Sequence, residues 1–177
     1  MDYADTPKTI QEARALAAKQ GFLFFGAPAR GLDLNALPAY PSRPFGENPN
    51  NVLSLSDAKN FLVLRDSAAF GRQDEFTLRL HGTNYDLVAV NVFHTLGEPL
   101  SKQAVETLKY KKIGARRLVF AFMDIGTAAS YAYYWKPGWR EGSPIWISAP
   151  TPDDPDRYFV EYWRPSFAAS PSEASIR

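Results

Sequence analysis

From Lys59 to Asp124 the sequence alternates short, almost wholly apolar runs with segments of helical periodicity, and this rhythm constrains the fold more than any other feature. "KNFLVLRD" (59–66), "YDLVAVNVF" (85–93) and "RRLVFAFMD" (116–124) read as strands. Between them "GRQDEFTLRLHG" (71–82) reads as a helix closed by Gly82. "SKQAVETLKYKK" (101–112) reads as a helix opened by Ser101, with Val105 and Leu108 facing inward. Strands separated by single helices predict parallel pairing through right-handed crossovers. Runs that are apolar throughout predict burial on both faces. "ASYAYYW" (129–135) then reads as a short helix and "RYFVEYW" (157–163) as a fourth strand. The expected fold class is α/β, a parallel-stranded (β/α) barrel-like fold. A full barrel takes about 250 residues, so four units in 177 residues predict a half or incomplete barrel.

An extra N-terminal helix-strand-loop precedes that rhythm. Thr9 and Glu12 have capping-box spacing, and Ile10, Ala13, Leu16 and Ala17 share one face, which predicts a helix over 8–19. "GFLFFG" (21–26) reads as a buried strand. The stretch 27–49 holds five prolines and no periodicity, so it reads as a long loop. The expected domain organisation is 1–56 for this N-terminal segment, 57–167 for the half-barrel and 168–177 for a disordered tail rich in small and polar residues.

Composition removes several function classes. The absence of cysteine excludes disulfides, thiolate metal sites and a cysteine nucleophile. A net charge of +1 gives no electrostatic basis for nucleic acid or an acidic membrane. The basic cluster Lys109, Lys111, Lys112, Arg116 and Arg117 reads as a solvated helix terminus. No apolar run approaches the roughly 20 residues of a membrane helix, and "MDYADTPKT" has no signal-peptide pattern. Two histidines, His81 and His94, are too few for a histidine metal cluster, and no nucleotide fingerprint occurs, so neither metal nor cofactor is expected.

Several segments resemble one family. "AKNFLVLRD" is similar to its first strand, NFLYLL, and "YDLVAVNVF" to its second, YDLVVIDYS. "LVFAFMDIGTAASYAYYWKPGW" resembles the signature LVLAYLSIGEAEDYRYYWKPEW, and "YFVEYWRPSF" the fourth-strand pattern V-x-YWDPEW. The family is the polygalactosaminidase-like glycoside hydrolases, family one hundred and fourteen, which are secreted barrel enzymes. The resemblance covers 57–167 and implies the N-terminal half of such a barrel, a polysaccharide or oligosaccharide as partner, and secreted or periplasmic localisation. The departures that bear on the site remove acids, with one gain. Asn91 stands where the second strand ends in aspartate, Thr127 and Ala129 where the signature has glutamates, and Arg164 where YWDP has aspartate. Asp124 replaces the signature's serine.

Glycoside hydrolysis needs two carboxyl groups flanking the scissile bond. Among Asp66, Glu98, Asp124 and Glu161 near strand ends, Asp124 and Glu161 are the candidate catalytic pair. Asp124 reads equally as a hydroxyl-binding or reacting carboxylate and as a loop aspartate bonded to nearby amides. Asp66 reads as a helix cap and Glu98 as solvated. Candidate substrate-binding residues are Asn91, His94, Thr127, Tyr133, Tyr134, Trp163 and Arg164, because sugar rings stack on aromatic faces while their edges take hydrogen bonds. Tyr131, Tyr134 and Trp135 have the spacing of one helical face, and Tyr131 and Trp135 read as core packing before sugar contact; Tyr133 and Trp139 fall off that face and read as exposed. Three readings follow: a hydrolase of an amino-sugar polysaccharide, a glycan-binding pseudoenzyme, and a truncated product with no activity of its own. A homodimer or a partner half-barrel would complete the ring.

Overall fold

A computed structural model describes residues 7–23, 36–37, 44, 46–95, 98–122 and 124–168. The chain divides after Phe122 into two compact units, Met1–Phe122 and Met123–Arg177.

The first unit begins with α1 (Pro7–Gln20). The helix starts two residues before Thr9, with proline in the first turn where its missing N–H costs nothing, so the Thr9–Glu12 capping pattern is not its boundary. Gly21, Phe22 and Leu23 follow without strand pairing, and 24–26 lie outside the described residues, as does most of the proline-rich stretch. The alternation foreseen from Lys59 onward is present. β1 (Phe61–Leu64), α2 (Gln73–His81), β2 (Leu87–Asn91), α3 (Lys102–Leu108) and β5 (Leu118–Phe122) form two successive parallel crossovers, and the three strands pair in the order β1-β2-β5. A short antiparallel pair, β3 (Phe93–Thr95) and β4 (Glu98–Pro99), leaves the carboxyl end of β2.

Leu62, Leu64, Val88 and Val90 pack with Phe76, Leu80 and Leu108 from the two helices, and Phe70 and Tyr85 close the cluster. The local sequence sets the helix ends. Glu75 accepts from the Arg72 N–H at the start of α2 (3.0 Å), and Ser101 accepts from the Ala104 N–H at the start of α3 (3.1 Å).

Two cations expected on a solvated helix end are instead interior: Lys111 is fully buried and Arg117 is 3% exposed. Arg117 donates to the carbonyls of Leu80, His81 and Thr83 and to that of Tyr110, closing the carboxyl end of α2 with a guanidinium. Burial lowers its pKa to about 10, against the opposing pull of Asp86. Lys111 donates to Asp86 Oδ1 (2.9 Å) and to the carbonyls of Asn48 and Asn50. Asp86 Oδ2 accepts from the Lys59 N–H (2.8 Å), and Asn60 Oδ1 accepts from the Asp86 N–H (2.9 Å). Residues just before β1, β2 and β5 are thereby tied at one buried node.

The second unit overturns the half-barrel expectation. Its strands β6 (Thr127–Ala129), β7 (Ile147–Thr151) and β8 (Asp154–Val160) form an antiparallel sheet in the order β6-β8-β7. The fourth strand therefore exists but joins no parallel sheet. Only Pro152 and Asp153 separate β7 from β8, whereas a parallel connection needs a dozen or more residues. Thr151 pairs with Asp154 across that turn. The expected helix over 129–135 does not form: β6 runs to Ala129, and Ser130, Tyr131, Tyr133 and Tyr134 lie in turns. The described residues make a mixed α/β fold of three small sheets, one parallel and two antiparallel.

Rings of the aromatic run pack against this unit's core of Ala128, Trp146, Ile147 and Val160. Trp135 stacks on Tyr158 (5.3 Å between centroids) and meets Trp139 edge-on (5.6 Å); Trp139 meets Trp146 (5.0 Å), which meets Phe167 (5.2 Å). Trp139, off the helical face, is thus partly buried against the core, while Tyr131, on the face that read as core, is 42% exposed. Helical periodicity misassigned both because the segment is not helical.

Candidate functional site

The second unit carries two side-chain clusters. In the first, the Asp124-Ile125-Gly126 loop leads into β6. Asp124 Oδ1 accepts from the amides of Gly126 (2.9 Å) and Thr127 (3.2 Å), and Oδ2 accepts from the Thr127 hydroxyl (2.9 Å). This is the aspartate-turn arrangement open to any Asp at that place. Arg157, on β8, donates to the Thr127 hydroxyl (3.3 Å) and to the Tyr131 hydroxyl (2.9 Å). The Tyr131 hydroxyl donates in turn to Asp154 Oδ2 (2.9 Å). Arg157 also lies 3.6 Å from Asp154 and 4.0 Å from Asp124. Burial alone would lower the Arg157 pKa; the Tyr131 hydroxyl and the two carboxylates outweigh it and raise it. Tyr134 reaches β6, its hydroxyl accepting from the Ala129 N–H (3.3 Å), and burial raises its phenol pKa. Tyr133 sits edge-on to Tyr134 at 5.4 Å and is 54% exposed.

The second cluster follows β8. Glu161 pairs with Arg164, and between them Tyr162 and Trp163 meet edge-on at 5.2 Å. Both rings are in water, Tyr162 49% and Trp163 67% exposed. Thr127, Tyr134 and Asp124 are therefore gathered at one cluster, and Glu161, Trp163 and Arg164 at another. No described hydrogen bond or ion pair joins Asp124 to Glu161; each is engaged by its own neighbours. Arg157 and Asp154 were not foreseen from sequence. The alternation of charge in "DPDRY" was the available signal, but it does not reveal that Arg157 faces Thr127 and Tyr131 across 30 and 26 residues.

Asn91 and His94 lie in the first unit. Asn91 donates to the Arg65 carbonyl (3.3 Å) and accepts from the Phe93 N–H (3.0 Å), clipping the carboxyl ends of β1 and β2 together. His94 is 4% exposed, with Nε2 2.9 Å from the Gly71 carbonyl and Nδ1 3.0 Å from the Ser67 hydroxyl. A carbonyl only accepts, so Nε2 carries a hydrogen. Beside it a cleft of about 750 Å³ opens between the first turn of α2, the β3–β4 pair and α3. Gln73 stitches that cleft by donating to Glu98 (2.8 Å) and accepting from the Ser101 N–H (2.8 Å). Among the described residues no group of three or more His, Asp or Glu side chains is placed to hold a metal ion, and no helix is long and apolar enough to cross a membrane.

No family profile matches the chain. It is 32% identical over 90 residues to an uncharacterized protein of Deinococcus radiodurans, a match covering 51% of this chain and 28% of that protein. It is 27% identical over 120 residues to an uncharacterized protein of Methanocaldococcus jannaschii, covering 68% of this chain and 34% of the relative. A third match, to an uncharacterized protein of Thermotoga maritima, is 42% identical over 43 residues, 24% of this chain and 13% of that protein. The chain thus spans about a third or less of the length of these relatives.

Proposed function

We propose that this chain is a carbohydrate-binding relative of the polygalactosaminidase-like glycoside hydrolases that holds an amino-sugar oligosaccharide without cleaving it. The observation that carries the reading is the exposed Tyr162–Trp163 ring pair, flanked by the charges of Glu161 and Arg164. A tryptophan left in water forgoes roughly 2–3 kcal/mol of burial, and the C–H face of a pyranose recovers it while Glu161 and Arg164 meet the ring's hydroxyl edge. Hydrolysis is disfavoured by the engagement of the two candidate acids. Asp124 already receives two amides and a hydroxyl, and Glu161 is bound to Arg164, whereas cleavage needs two carboxyl groups free to face one glycosidic bond.

Isothermal titration of galactosamine oligosaccharides into the chain, run beside a reducing-end assay, tests this. The expected result is binding with Kd on the order of 0.1 mM, abolished by Trp163→Ala, with no reducing ends released. Binding untouched by Trp163→Ala, or no binding at all, would overturn the reading. Release of reducing ends that Asp124→Asn stops would establish the hydrolase instead.

A further inference from the structure

We draw no further inference here: the strongest candidate, the cleft of about 750 Å³ between the first turn of α2, the β3–β4 pair and α3, carries nothing because Gln73, Glu98 and His94 on its walls are already bonded to one another or to backbone, and nothing in the structure shows what covers or fills it.

Discussion

Replacing Lys111 by methionine should cost the first unit a large part of its stability. The side chains of Lys111 and Asp86 are both fully buried and 2.9 Å apart. Lys111 supplies Asp86 Oδ1 with its hydrogen bond and counter-charge, and it satisfies the carbonyls of Asn48 and Asn50. Methionine fills most of the volume but leaves a buried carboxylate with the Lys59 amide and a long contact from Asn48 (3.5 Å) as its donors. Removing one partner of a buried ion pair costs about 3–5 kcal/mol. With a urea slope of about 1–3 kcal/mol/M for a protein of this size, the midpoint should fall by roughly 2 M. All four tryptophans lie beyond Phe122, at positions 135, 139, 146 and 163, so their fluorescence reports the second unit. Unfolding of the first unit is followed by circular dichroism at 222 nm, where α1, α2 and α3 give the signal. Adding Asp86→Asn to Lys111→Met removes the stranded charge while keeping an acceptor for the Lys59 amide, and should restore at least about 2 kcal/mol. A Lys111→Met midpoint within about 0.3 M of the parent, or a double variant less stable than the single one, would refute the reasoning.

Two further outcomes follow from the same contacts. Burial pushes the Tyr85 phenol up to about 12, while in the unfolded chain it ionises near 10. The unfolded chain therefore loses its proton first, and Tyr85 should withdraw on the order of 3 kcal/mol of stability as pH rises from about 10 to about 12. Urea midpoints taken across that window should fall less steeply in Tyr85→Phe, and an equal slope would refute the assignment. In the loop that follows β5, Asp124→Asn keeps an acceptor for the Gly126 and Thr127 amides and should lower the thermal midpoint only slightly, whereas Asp124→Ala leaves those exposed amides to water and should cost about 0.5–1.5 kcal/mol. Equal midpoints for the two variants would show that the loop does not depend on those bonds.

Much of the first unit was legible in the sequence because its signals are local. Apolar runs three to five residues long, separated by helical periodicity and bounded by Ser101 or Gly82, encode β1, α2, β2, α3 and β5 within a dozen residues of each other. Local periodicity did not carry over to the second unit. The rings of residues 131–139 have helical spacing, yet the chain there turns, and the packing partners of Trp135 and Trp139 are Tyr158 and Trp146. The antiparallel direction of β8 was written in the two-residue link at Pro152-Asp153, but the resemblance to a barrel strand concealed it.

Between Lys59 and Phe122 the sequence by itself determined which segments extend and which coil, and over its whole length that the chain has neither a thiol nor an excess of charge. Tertiary structure alone decided where the charges went. Lys111 and Arg117 belong by composition to a basic surface run, and both are interior because their acceptors come from distant segments. Asn48 lies 63 residues from Lys111, and Asp86 lies 25; Thr83 lies 34 from Arg117. A buried cation is stable only when such acceptors converge on it, and convergence over those distances is a property of the folded chain that no local window contains.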